Sequence, residues 1–532
     1  GILEVGKLPA RTKIVQKNNI GPSLGKENIS KSLNALAMGT VMVVLTMLLY
    51  YSGAGLIAIL ALIINVFLLL GTLSSLGTVL TLSGIAGIVL TMGMAVDANV
   101  IIYERIKEEL ALGKTVKQSI VDGFHHSYSA IIDGNLTTLL TAIILAYFGL
   151  GPVKGFAVVL IIGVLTSMFT AIFVSRLIID WWLSKDRNLT YWTSFSKGAF
   201  KNVNFDWIGM RKKAYIISGG LTLLGLVSIF TKGFDLGVDY NGGFSYNIQF
   251  ADNTNVDAEK IRNGLESVFA AAPIVKQVDG KNTYNVITSY LVTESAVEGT
   301  SDKVLAKLHE GVKTLTGTDV SLKDFSNTEL GSDKTHIVSS AQVGPTIADD
   351  LKRTSFIAGI LAILGVFLYI LVRFNKWQYS VGAIVALLHD SLMMLGLFSL
   401  LKGLVPFTLE IDQNFIAALL TVIGYSINDT VIIFDRIREY FTLNIQKPSS
   451  EIINDAINST LSRTMMTSFT AIIVVLMLFM FGGASIKGFA FALLIGIFVG
   501  TYSSVFISAP IMADLSSDLK LTSRKSLKSA KK

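Results

Sequence analysis

The chain has 532 residues, 51% of them hydrophobic and only 16% charged, with a mean hydropathy of +0.59 and a net charge of +7. That balance excludes an ordinary soluble globular protein and marks a polytopic membrane protein. No cysteine is present, so there is no disulfide and no thiolate metal site, and the five histidines lack the spacing of a structural zinc site.

Residues 1–32 are polar, start without Met, and read as the tail end of a larger external domain that precedes the chain. Apolar runs long enough to span a bilayer follow at about 33–50, 54–73, 78–103, 128–148 and 154–183, a five-helix half over 33–183. The linker 184–213 is basic, with Lys185, Arg187, Lys197, Lys201, Arg211, Lys212 and Lys213. One span, 214–230, precedes a polar stretch, 231–353. Runs at about 354–372, 378–401, 412–434, 464–482 and 486–510 complete a six-helix half, and a basic tail, 511–532, ends the sequence. If the spans alternate, the loop 104–127, the linker, Arg373, Lys376 and the tail share one side. The excess of Lys and Arg predicts that side to be cytoplasmic and 231–353 to be external.

The polar stretch reads as a small α/β domain. Phe244–Phe250 alternates like a strand, and Val256–Ala270 has helical spacing with Asp252 or Asn255 as candidate cap. Val275–Val278 and Tyr284–Ile287 suit a hairpin around Asp279-Gly280-Lys281; Ser301–Leu315 is helical and His336–Val343 strand-like. The order β-α-β-β-α-β predicts a split βαβ, ferredoxin-like fold. Gly237-Val238-Asp239-Tyr240-Asn241-Gly242-Gly243 reads as a tight turn leading into its first strand.

The two membrane halves repeat. TMGMAVDANVIIYERIKE (91–108) recurs 331 residues later as VIGYSINDTVIIFDRIRE (422–439). Val-Lys-Gly-Phe-Ala (153–157) recurs as Ile-Lys-Gly-Phe-Ala (486–490), and Leu-Thr-Ala-Ile (140–143) as Phe-Thr-Ala-Ile (469–472). Both copies enter the membrane from the same side, so the pseudo-repeat is parallel, about an axis along the membrane normal.

Asp97 lies inside an apolar run, roughly 10 Å from its charged end at 1.5 Å per residue. In the second copy Asn428 falls opposite Asp97, and Asp429 is shifted by one position. Burial disfavours a charged carboxylate, which makes an acid at such a depth a candidate reversible proton or ion carrier, the alternative being a packing role. Arg463 is placed at the start of the span 464–482, where it is either the partner of Asp429 or a last interfacial cation. Asp390, beside His389, is a third membrane acid with Asn65 as its counterpart. Asn99, Asp133, Asn135, Thr137 and Thr138 are further polar groups able to hydrogen-bond between helices. There is no P-loop, G-x-S-x-G or H-E-x-x-H motif, so no ATPase or hydrolase chemistry is expected. The basic tail fits an anchor to anionic lipid or ribosome better than a nucleic-acid site.

GIAGIVLTMGMAVDANVIIYERIKEEL (84–110) closely resembles the SecD signature, and GVDYNGG (237–243), LLHD (387–390) and LLTVIGYSINDTVIIFDRIRE (419–439) resemble SecF. The resemblance covers almost the whole chain and is to the fused SecD–SecF proteins of the resistance-nodulation-division superfamily, without their first transmembrane helix and first large periplasmic domain. It implies a bacterial inner-membrane, multi-pass accessory of the Sec translocase that uses the proton gradient, or sodium in some members, to promote late stages of preprotein export. It implies SecYEG, YajC, YidC, unfolded preprotein and, indirectly, SecA as partners. A catalytic activity, a cofactor and a metal centre are not expected, only a coupling ion. The family's key acids fall on Asp97 and Asp429, and its arginine on Arg463. Two rivals stay open: an ion-driven exporter of small molecules or lipids in the same superfamily, and a membrane assembly scaffold.

Overall fold

A computed structural model describes residues 16–516, apart from Val79, 200–202, Asn255, 279–281, Ala296, Glu298, Glu329, 331–332 and 444–446. The first half contains α1 (Pro22–Tyr51), α2 (Gly53–Ser75), α3 (Leu82–Ala95), α4 (Asp97–Ala111), α5 (Val116–Phe148), α6 (Pro152–Phe169) and α7 (Ser175–Leu183). After α8 (Trp207–Lys232) the chain leaves the helical layer. It returns as α11 (Pro345–Phe374), α12 (Trp377–Leu401), α13 (Gln413–Leu443), α14 (Ser449–Phe481), α15 (Ala484–Ser503) and α16 (Ala509–Asp514). Eleven of the described helical segments are long and apolar enough to cross a membrane, five before the linker and six after it.

Three features of the helices differ from the sequence reading. The third span, Leu82–Ala111, has a one-residue irregularity at Val96, which keeps right-handed helical dihedrals, so Asp97 directly follows a local distortion within the span. The helix carrying Arg463 starts at Ser449, fourteen residues before that arginine. Its first turns are amphipathic, which hydropathy alone reads as loop. Each half also contains a π-helical turn, Thr170–Val174 between α6 and α7 and Ser504–Ser508 between α15 and α16. Such turns are rare and often sit at functional sites.

The polar stretch folds as expected, with one addition. Strands β2 (Gly243–Gln249), β3 (Ile274–Gln277), β4 (Thr283–Thr288) and β5 (His336–Val343) alternate with α9 (Ala258–Phe269) and α10 (Thr300–Thr316) in the predicted order. The sheet is antiparallel, and β1 (Gln16–Ile20) adds to its β5 edge, giving β1-β5-β2-β4-β3. Residues 16–20 are thus part of this sheet. Their sequence, QKNNI, has no apolar alternation because four of the five side chains are exposed and backbone pairing alone holds the strand. The helix cap is Asp257, which accepts from the Lys260 amide, and not Asp252. Asn255, the hairpin tip 279–281, the start of the chain and the tail's basic cluster from Lys520 to Lys532 lie outside the described residues. Phe244, Tyr246 and Ile248 from β2 meet Ile261, Leu265, Val304 and Leu308 in a core separate from that of the membrane layer. Each such fully buried side chain contributes about 1.5–3 kcal/mol.

Candidate functional site

The acids meet where the repeats cross. α14 packs on α3 and α4, and α13 packs on α5, so each acid-bearing helix lies against a helix of the other half or its own neighbour. Gly93 on α3 makes the first approach possible: a methyl there would sit 3.2 Å from Ala471 Cα. Asp97, Asp429 and Arg463 are all buried, at 5%, 2% and 5% exposure. Arg463 Nη2 lies 3.8 Å from Asp429 Oδ1. Ser468 donates to Asp429 Oδ2 at 3.4 Å and pairs with Thr501 at 2.6 Å, while Thr470 donates to Asp97 Oδ1 at 3.4 Å. Arg463 is therefore a mid-helix charge at the acids, not a snorkelling interfacial cation. Two unit charges at this separation attract by about 4 kcal/mol at an effective dielectric of about 20. Desolvation of the buried ions offsets much of that attraction, so neutralising Asp429 mainly leaves Arg463 with less to pair with.

A cavity of about 70 Å³ lies between Arg463 and the charged ends of the helices, lined by Glu104, Glu108, Arg436, Ser459 and Thr460 together with apolar Ile101 and Ile432. That is room for about two waters at ~30 Å³ each. At its outer end a four-membered ion-pair ring joins the repeats. Arg105 bonds Glu108 at 3.0 Å and Glu439 at 3.2 Å; Arg436 bonds Glu439 at 2.8 Å and Glu108 at 2.6 Å. Each arginine holds the glutamate three residues along its own helix and the matching glutamate of the other repeat. The sequence reading used Arg105 as a topology signal and as part of the duplicated motif, and gave it no partner. The signal that identifies the ring is the duplicated Arg-x-x-Glu in both copies.

The other expected polar residues occupy separate positions. Asp390 accepts from Ser426 at 2.7 Å and Ser503 at 2.8 Å, with His389 at 3.1 Å, on the flank of α13 away from Arg463. Its counterpart Asn65 donates to Thr166 at 3.0 Å. Asn99 accepts from Ser175, and Thr430, the matching residue of the second copy, pairs with Ser504, both at 2.8 Å. The acid helices are thus anchored to the two π-turn regions. Thr137 and Thr138 donate across to the Gly424 carbonyl, whereas Asn135 donates to the Ile131 carbonyl on its own helix. Asp133 is tied to α11, by Arg373 at 2.6 Å and Tyr369 at 2.7 Å, and takes no part in the Arg463 cluster. Asn428 packs on Gly134, where an added methyl would lie only 1.7 Å from its Oδ1. Among the described residues no group of three His, Asp or Glu side chains is placed to hold a metal ion.

At the opposite end of α13, Asp412 accepts from the Phe415 amide at 2.8 Å and caps the helix. It faces Asp239 of the GVDYNGG motif and Glu410. Burial and the Asp239 charge push the Asp412 carboxyl up to about 7. The motif is more than a turn: Gly237 N–H donates to the Ile411 carbonyl at 3.0 Å and Ile411 N–H to the Asp235 carbonyl at 2.7 Å, a parallel Leu236–Ile411 bridge that ties the start of the α/β domain to the segment that enters α13.

The protein export membrane protein SecD/SecF C-terminal family matches this chain twice, over residues 4–185 and 323–518, once in each half. The SecDF protein translocase subunit of Brucella abortus is 34% identical over 96% of this chain and 64% of its own length. The crystal structure of SecDF from Thermus thermophilus superposes with a TM-score of 0.83 at 34% identity, covering 97% of this chain and 66% of that one. A SecDF crystal structure in a super-membrane-facing form gives 0.71 at 33% identity, covering 97% and 65%. The chain spans about two thirds of the length of the SecDF relatives it matches. With the family matched in both halves and the fold shared along almost its whole length, the chain belongs to the SecD/SecF family of protein export membrane proteins, in its fused SecDF form.

Proposed function

We propose that this chain carries the ion-driven part of an accessory to the Sec translocase. Proton or sodium flow past Asp97 and Asp429 would drive movements that promote the external stages of preprotein export. The observation that carries this reading is Arg463, buried between the repeats beside Asp429 and within electrostatic reach of Asp97. Binding of a cation to either carboxylate weakens the pairing with Arg463 and frees α14 to move against the acid helices. Two states of different ion affinity are what such coupling requires. The 70 Å³ cavity would provide one approach for the ion, and the Arg105–Glu439 ring a contact that differs between states. On this reading the basic side is cytoplasmic, the membrane is the bacterial inner membrane, and 231–353 is periplasmic. SecYEG, YajC, YidC, the unfolded preprotein and, indirectly, SecA are the partners. The role is motor-like, with no catalytic group.

Export is measured in cells carrying the complete protein with Asp97→Asn or Asp429→Asn, alongside membrane insertion. We expect normal insertion with export reduced at least tenfold, and a pH and sodium series then identifies the ion. Unchanged export in both variants would assign the acids to packing and favour a scaffold.

A further inference from the structure

The outer edge of the external sheet is open. Among the described residues, strand β3 is the last in the order and pairs only with β4. Val278 N–H bonds the Thr283 carbonyl, which sets the register of hydrogen-bonded pairs at 278, 276 and 274. The N–H and C=O groups of Val275 and Gln277 therefore point away from β4. Among the described residues nothing pairs with them. Val275 and Gln277 are among the residues that line a cleft of about 950 Å³, together with Lys402, Gly403 and residues 405–409, of which Val405, Pro406 and Phe407 are apolar. Ile274, at 42% exposure, offers an apolar side chain at the same edge.

We propose that this cleft binds an extended polypeptide, which adds to β3 as a further strand. The ligand class rests on the export function proposed above; the site does not. Edge addition recognises a backbone through its N–H and C=O groups and is indifferent to most side chains, which suits a substrate of varied sequence. The opposite edge of the same sheet shows the chemistry at work: β5 recruits β1, an exposed polar segment more than three hundred residues away, by backbone pairing. The cleft also connects to the membrane site. Lys276 of β3 bonds Asp235 at 2.8 Å and Glu410 at 3.0 Å, and Glu410 lies three residues before α13, the helix of Asp429. A strand that shifts β3 thus acts on the entry to α13.

Gln277→Pro tests the site. It removes the outward N–H and places the ring in the cleft, while the β4 ladder is untouched because Gln277 does not bond to it. The purified full chain in detergent is titrated with a fluorescein-labelled 16-residue peptide of mixed composition and with the same peptide N-methylated at alternate residues. We expect the plain peptide to bind wild type, and binding to weaken at least tenfold with the methylated peptide and with Gln277→Pro at unchanged thermal stability. Should Gln277→Pro lower stability, a photo-crosslinking residue at Ile274 replaces it, with capture of the plain but not the methylated peptide as the expected result. No binding to wild type, equal binding of both peptides, or no crosslink overturns the proposal. Loss of the ion-coupled reading appears separately, as normal export with Asp97→Asn.

Discussion

The two crossings between the repeats are built alike and filled differently. Where α4 meets α14, the repeat positions hold Asp97, Arg463 and Thr470. Where α13 meets α5, the corresponding positions, by the alignment of the Thr-Ala-Ile motifs, hold Asn428, Gly134 and Thr141. The first crossing contains buried charge at a 3.8 Å spacing from a shifted acid, Asp429, on the neighbouring helix. The second is neutral and close-packed, with Asn428 seated on Gly134 and Thr141 against Gly424. The ion-pair ring, by contrast, treats both repeats equally. A symmetric frame with one charged and one tightly packed crossing has a place where charge can change and a place where helices stay in contact. The irregularity at Val96 falls on the charged side alone; α13 runs unbroken past Asn428 and Asp429.

The largest effect should come from removing the charge that distinguishes the first crossing. Arg463→Leu leaves two buried carboxylates facing each other without a cation, at a cost of about 3–5 kcal/mol if both stay ionised. The protein should compensate by taking up a proton, so thermal stability of the variant falls more at alkaline than at acidic pH, and export is lost. Asp429→Asn combined with Arg463→Leu should recover most of the stability and none of the export. Equal export by the double variant and wild type would show that the charged crossing is dispensable.

Much of this frame was legible in the sequence because hydropathy, Lys and Arg placement and the duplicated motifs are local signals. The eleven spans, the parallel repeat, the ferredoxin-like order and the choice of Asp97 and Asp429 as buried membrane acids needed no knowledge of packing. What remained hidden depends on the register between distant helices. Asp133 finds Arg373 only because α5 and α11 lie side by side, although Arg373 alone reads as a loop charge. Arg463 reads as a helix start because the amphipathic turns from Ser449 are solvated on one face and contribute nothing to a hydropathy run. β1 is silent because an edge strand held by its backbone needs no side-chain pattern. The Val96 irregularity and the two π turns have no composition signature, and follow from packing.

A smaller effect probes the packed crossing. Gly134→Ala pushes a methyl against Asn428 Oδ1, and overpacking of this kind costs about 1–3 kcal/mol. Because the obstructing atom is the end of one side chain, Asn428→Ala should relieve the clash, giving a favourable coupling of about 1 kcal/mol or more in a double-mutant cycle. Chemical or thermal unfolding of the three variants reads it. Strict additivity would mean that Gly134 and Asn428 do not share a contact in the resting state, and the contrast between the crossings would fail.

The last effect depends on pH and lies at the N-terminal end of α13, where the packed and charged crossings share a helix. Burial and the Asp239 charge push the Asp412 carboxyl up to about 7, well above the ordinary value near 3.8. A carboxyl raised in this way holds its proton more tightly in the folded state. Its stabilising contribution is therefore fully present below about 3.8 and is lost as pH rises through about 7. Asp412→Asn keeps a capping oxygen for the Phe415 amide and removes the titration. Thermal stability measured between pH 4 and 8 should thus decline with pH more steeply in wild type than in the variant. Glu410 and Asp239, also pushed up by burial, retain a residual slope in both. Identical slopes would show that Asp412 is already ionised across this range, and that the α/β domain is joined to α13 by the Leu236–Ile411 bridge and Lys276 without help from a proton.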